Sequence, residues 1–153
     1  KPINEYLNLS KIRNGIDFTT QHVARFNNVR DLEIYRIAID LWVNKGKRLS
    51  YANLPDKLKT HKNETAFLNR FQVVDPKGVS HTVVAHISAD GHYYIYPDLK
   101  QVRSISVREA ARIQSFPDDF FFEGGRTAAF KQIGNAVPPL MAEGIANKIK
   151  EMI

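Results

Sequence analysis

The sequence predicts an α+β domain with a small antiparallel sheet, several helices and a helix at the carboxy terminus. Three observations lead there: an apolar stripe at helical spacing after Asn28, a β-branched and aromatic run over residues 70–98, and a serine–glutamate cap followed by paired prolines in the last third. With 153 residues, 43% hydrophobic and 25% charged, the chain can bury a core without disulfide or metal support.

The first twenty residues carry the weakest pattern. From Asn28 the run NVRDLEIYRIAIDLWVNKG aligns Leu32, Tyr35, Ile39 and Trp42, with Ile34, Ala38 and Leu41 widening the stripe and Gly46 as a stop, which predicts a helix. LPDKLKTH and NETAFLNRF predict shorter helical pieces. RFQVVDPKGVSHTVVAHISADGHYYIYPD then reads as strands. HTVVAHI and HYYIY, joined through SADG, predict a hairpin with Val83, Ala85 and Ile87 on one face and Thr82, Val84 and His86 on the other. Tyr93, Tyr94 and Tyr96 read first as sheet-packing residues, with base stacking as the alternative.

Ser106 and Glu109 form a capping box in the sequence: the serine oxygen accepts from the third helical amide, and the glutamate returns to the serine amide. It opens a helix through VREAARIQS whose apolar side is Val107, Ala110, Ala111 and Ile113, and Pro117 ends it. RTAAFKQIG predicts a short helix closed by Gly134 in the left-handed conformation, and Pro138 and Pro139 open the final helix. Residues 135–137 are thereby expected to be extended. Such a strip beside a helix start offers amide and carbonyl groups to a small polar ligand.

Composition removes several function classes. Without cysteine there is no disulfide, no thiolate metal site and no cysteine nucleophile. No apolar run approaches a membrane span and the opening residues lack a signal-peptide core, so the chain reads as soluble. Its start at Lys1 reads as that of a piece of something longer. The net charge of +6, concentrated in the first two thirds, suits a polyanion. His22, His61, His81, His86 and His92 lack metal-ligand spacing, so no metal site is expected, and Gly124 and Gly125 lack that of a phosphate loop.

RSISVREAARIQSFPDDFFF and KQIGNAVPPLMAEGIA together closely resemble, in order and spacing, the last two conserved motifs of the DNA cytosine-5 methyltransferases. HVARFNNVRDLEIYR and VVAHISADGHYYIYPD are similar to the region preceding those motifs in one bacterial branch. The resemblance implies methyl transfer from S-adenosylmethionine to C5 of a flipped cytosine in duplex DNA, with a cysteine thiolate attacking C6 and a glutamate at N3. This chain has no cysteine and none of the family's Phe-x-Gly-x-Gly, Pro-Cys or Glu-Asn-Val elements. The resemblance therefore implies a carboxy-terminal segment, inactive alone, that needs an upstream catalytic domain or subunit carrying the cysteine.

Within that segment it implies a small DNA-facing, target-recognition-like region over 1–102, helices followed by the hairpin. Residues 103–153 would carry the two motifs and a terminal helix packing on the catalytic domain. No catalytic residue is expected here. Gly134, Asn135, Ala136 and Val137 match the motif that touches the methyl donor. Arg103, Arg108, Glu109 and Gln114, with Ser106 of the cap, match the motif that organises the DNA-facing domain, and a structural role is expected before direct DNA contact. VVDPKGVSHTVV departs from the family's Lys-Pro-Ser-x-Thr phrasing, which leaves the target bases open. The implied setting is bacterial restriction–modification in the cytoplasm, with duplex DNA as partner and no membrane. The stripe Leu140, Met141, Ile145, Ile149 and Met152 is expected to fold back or to pair with a second copy when the segment stands alone. The alternatives are a stand-alone non-catalytic DNA-binding module derived from the same fold, and an interaction domain that does not bind DNA.

Overall fold

The computed structural model describes residues 5–60 and 68–153, which form two compact units. The first unit comprises Lys1–Val23, Val83–Ser88 and Ser106–Ile153, and the second Ala24–Thr82 and Ala89–Ile105. The helices among the described residues are α1 (Glu5–Leu9), α2 (Val29–Lys45), α3 (Val107–Ile113), α4 (Arg126–Asn135) and α5 (Pro139–Lys150). The helical piece expected at NETAFLNRF falls mostly outside the described residues. No helix among the described residues is long and apolar enough to cross a membrane.

In the second unit, α2 forms where its apolar spacing places it. Asn28 caps it by accepting from the Asp31 amide at 2.9 Å, and Gly46, at φ 61°, ends it in the left-handed conformation that glycine adopts without strain. Ile34, Tyr35, Ala38 and Ile39 bury the inward face against Leu49, Tyr51, Phe71, Val73 and Ile95. Among its described residues, LPDKLKTH contributes a 3-10 turn, Asp56–Leu58, after Pro55.

The expected antiparallel sheet is not there, so the α+β reading is corrected: the described residues contain helices, turns and two isolated bridges, Val73 with Ile95 and Ile95 with Ser104. Residues 94–96 run between two other extended pieces. The Gln72 carbonyl accepts from the Ile95 amide at 2.9 Å, the Val74 amide donates to the Ile95 carbonyl at 2.9 Å, and the Ile105 amide donates to the Tyr94 carbonyl at 2.9 Å. The partners of HYYIY are thus residues 72–74 and 103–105, not HTVVAHI. With its backbone groups satisfied there, that segment has no ladder to offer the predicted hairpin strand. Tyr94 is buried and its hydroxyl donates to the Thr82 carbonyl at 2.8 Å, while Tyr96 lies beneath Arg103 with the guanidinium 4.0 Å from its ring.

HTVVAHI instead enters the first unit, where Ala85–Ser88 forms a 3-10 turn packed on α4. Gly134 explains the approach. A Cβ at that position would lie 2.5 Å from the carbonyl of Val84 and from the Ala85 amide. Gly134 therefore does not close α4 in a left-handed conformation; it sits inside the helix, which runs on to Asn135, and its missing side chain makes room for another backbone. The β-propensity of the paired valines yields to this contact. Ala129, Phe130 and Ile133 bury the inward face of α4, and Val107, Ala110 and Ala111 that of α3.

The terminal helix α5 begins at the paired prolines, but none of its residues is buried. Met141, Ile145, Ile149 and Met152 are exposed, so the fold-back expected for this stripe does not occur among the described residues.

Two predictions follow from these contacts. Gly134→Ala should destabilise the chain by about 1–3 kcal/mol or more, because the clash is with backbone that cannot rotate away; an unchanged urea midpoint would refute the close approach. In the second unit the Tyr35 hydroxyl meets His92 Nδ1 at 2.9 Å, and burial lowers the His92 pKa from 6.5, against the opposing pull of Asp90 and Asp31. Stability from His92 is therefore fully present above pH 6.5 and lost as pH falls through the lower folded value. His81 is lowered by burial in the same sense. The denaturation midpoint should drop on acidification, and His92→Gln should flatten that drop; an identical drop in the variant would exclude His92 as a source.

Candidate functional site

The candidate residues of the first unit gather around α3. Ser106 accepts from the Glu109 amide at 3.2 Å and Glu109 accepts from the Ser106 amide at 2.7 Å, so the capping box is formed. The Ser106 hydroxyl also meets His22 Nδ1 at 2.8 Å, which ties the cap to a segment more than eighty residues earlier.

Two residues further on, Arg108 is completely buried. Its guanidinium donates to the Thr20 carbonyl at 3.2 Å and hydroxyl at 3.0 Å, to the Pro117 carbonyl at 2.9 Å and to the Phe120 carbonyl at 2.7 Å. Burial lowers its pKa, with Asp118 acting against the shift. Asp118 itself is engaged in a two-pronged pair with Arg112, at 2.6 and 2.8 Å, which raises the Arg112 pKa. Beside this centre the Gln21 carboxamide makes both hydrogen bonds to the Phe122 backbone, at 2.9 and 3.1 Å, and Phe116, Phe120 and Phe122 pack with ring centroids 4.9 to 5.1 Å apart.

Gln114, also buried, donates from Nε2 to the Ile133 carbonyl at 2.7 Å. Ser115 follows at φ 62°, and its hydroxyl accepts from the Leu140 amide at 3.1 Å. Between those two fixed points lies the link from α4 to α5. Ala136 and Pro138 are extended, with ψ 148° and 133°, whereas Asn135 is still helical and Gly134 lies under the Val84 backbone. Asn135 and Val137 are exposed. The Asn135 carboxamide makes no hydrogen bond among the described residues.

Arg103 belongs to the second unit, where it stacks on Tyr96 and donates to the Gln101 side chain at 2.9 Å. That unit also exposes Lys45, Lys47 and Arg48 in one short stretch, with the Arg48 guanidinium 5.9 Å from the Trp42 ring centre. The described residues hold no cluster of three or more His, Cys, Asp or Glu able to bind a metal ion. Sequence reasoning did not single out Ser115, Thr20 or Gln21. Only Ser115 had a signal, its place beside Gln114 ahead of Pro117.

Residues 2–151 match the family model described as C-5 cytosine-specific DNA methylase. The chain is 58% identical over 134 residues to the type II methyltransferase M.Bpa9945I of Bacillus paralicheniformis, covering 88% of this chain and 30% of that protein. It is 42% identical over 99 residues to the type II methyltransferase M.AgeI of Thalassovita gelatinovora, covering 65% of this chain and 23% of that protein. To the DNA (cytosine-5-)-methyltransferase M.ApeKI of Aeropyrum pernix it is 39% identical over 83 residues, covering 54% of this chain and 17% of that protein. The chain thus spans less than a third of the length of each of these relatives.

Replacing Arg108 with methionine keeps its bulk but removes a buried charge's donors from three part-buried carbonyl groups, and should cost about 1–3 kcal/mol. Arg108→Lys should also destabilise, since one ammonium cannot span the fork that reaches Thr20, Pro117 and Phe120. Urea denaturation measures both; midpoints within error of the parent would refute the role assigned to this guanidinium.

Proposed function

The chain belongs to the C-5 cytosine-specific DNA methylase family, and from that premise we propose that it is the carboxy-terminal segment of a DNA cytosine-5 methyltransferase, completing the methyl-donor pocket and helping to hold duplex DNA. The observation that carries the pocket role is the last residue of α4 together with the link after it. It offers an exposed carboxamide at Asn135 and an exposed apolar side chain at Val137, on a backbone anchored before and after them. A carboxamide supplies both a donor and an acceptor, and so suits a ligand with polar groups of both kinds such as S-adenosylmethionine. Gly134, Asn135, Ala136 and Val137 would hold it. The bound donor supplies the methyl group, and this chain's residues bind and orient.

The attacking thiolate comes from outside this sequence, which has no cysteine. The catalytic partner is therefore an upstream domain or subunit, and this segment is inactive alone. Arg103, Ser106, Arg108, Glu109 and Gln114 act by organising the frame rather than by touching bases. Support for a DNA-holding role comes from the net charge of +6 and the exposed Lys45, Lys47 and Arg48 of the second unit. The name of the Aeropyrum pernix relative supports cytosine in DNA as the target, and we assign that chemistry to duplex DNA in a restriction–modification system of the bacterial cytoplasm.

The test is transfer of labelled methyl from S-adenosylmethionine to mixed-sequence duplex DNA by this chain, by a folded cysteine-bearing upstream half, and by the two together. Activity is expected only in the mixture. Activity from either part alone would overturn the proposal, and none in the mixture would favour an inert DNA-binding module. In the active mixture, Asn135→Ala should raise the KM for the donor roughly five- to tenfold while leaving the melting of the isolated chain unchanged. An unaltered KM would remove Asn135 from the pocket.

A further inference from the structure

We propose that Gln114 and Ser115 are a positioning pair that holds residues 135–137 from both sides, one fastening the end of α4 and the other the start of α5. The inference rests on the reading in which that link borders the methyl donor.

The two residues are neighbours in sequence and both are buried, at 6% and 4% exposure. Gln114 reaches the Ile133 carbonyl, one of the acceptors that the end of α4 leaves without a helical partner. The Ala136 amide shares that carbonyl at 3.2 Å, so the same atom ties down the first residue of the link. Ser115 serves the other side. Pro138, the residue before α5, provides no side-chain cap, and the Leu140 amide is met instead by the Ser115 hydroxyl from 25 residues earlier. The cap of α5 is thus a tertiary contact.

The backbone of Ser115 makes the case for its hydroxyl. At φ 62° it occupies the left-handed region just beyond α3, where glycine is the residue without strain. Serine there accepts a conformational penalty that glycine would avoid, and what it adds is the oxygen on Leu140. Gln114 and Ser115 are in turn held by α3: the Gln114 amide donates to the Ala110 carbonyl at 3.1 Å and the Ser115 amide to the Arg112 carbonyl at 3.0 Å. The Tyr6 hydroxyl fastens that same Arg112 carbonyl at 2.6 Å. A rigid dipeptide therefore sets the separation of the two anchors between which Asn135, Ala136 and Val137 are strung. Neither residue touches the donor in this scheme; each acts through the link.

Ser115→Gly isolates the effect, because it deletes the hydroxyl while relieving the backbone and so preserves folding. Ser115→Asn is the rescue, since asparagine tolerates the left-handed region and carries an acceptor. In the mixture of this chain with its upstream half, Ser115→Gly should raise the donor KM roughly fivefold at nearly constant kcat and melting temperature, and Ser115→Asn should recover much of the loss. A Ser115→Gly enzyme with parental KM, alongside an Asn135→Ala enzyme with raised KM, would overturn the clamp and leave the pocket reading standing. If Asn135→Ala leaves KM unchanged, the pocket reading fails. Amide hydrogen exchange in the 153-residue chain then judges the clamp alone: faster exchange at Ala136, Val137 and Leu140 in Ser115→Gly supports it, and unchanged exchange overturns it.

Discussion

The first unit depends on a buried guanidinium that, among the described residues, is paired with no carboxylate. Arg108 is stripped of water, so its charge must be met by dipoles, and the dipoles are backbone carbonyls at Thr20, Pro117 and Phe120. Those carbonyls come from two segments about a hundred residues apart in sequence, and neither can move without leaving donors or acceptors unpaired in the interior. Gln21 against Phe122 and His22 against Ser106 extend the same seam. Arg112 and Asp118 lock the loop after α3 from its other side. A short helix of seven residues would be marginal alone, and here polar contacts at its start, middle and end define its place.

From that fixed helix the candidate site follows in two steps. The residues closing α3 reach across to the end of α4 and the beginning of α5, and the missing side chain of Gly134 lets the Val84 backbone lie against α4 just before the link. Among the described residues of the first unit no buried side-chain polar atom lacks a partner, while the Asn135 carboxamide is exposed. That contrast between a fully bonded support and an unbonded presented group is what a binding segment requires of its scaffold.

Local chemistry was legible in the sequence and non-local pairing was not. The spacing of Ile34, Tyr35, Ala38 and Ile39, the Asn28 and Gly46 caps, the Ser106–Glu109 box and the paired prolines all act within a few residues, and the helices they predict are present. HTVVAHI has the composition of a strand, yet what decides its shape is a glycine some fifty residues later. Gly134 itself resembles a helix terminator, because the sequence cannot distinguish a glycine needed for backbone conformation from one needed for space. The candidates were reached through a motif resemblance, and the geometry adds what no motif states: which partner each side chain meets. The exposed stripe of α5 was legible as apolar, but its cover is not among the described residues.

The most direct test of the account is ultraviolet crosslinking of methyl-labelled S-adenosylmethionine to the active mixture of this chain and its cysteine-bearing upstream half, followed by peptide mapping. The account predicts label in the peptide that contains residues 134–137, lost on competition with unlabelled donor. Competable label confined to the upstream half, in a mixture that is catalytically active, would contradict it.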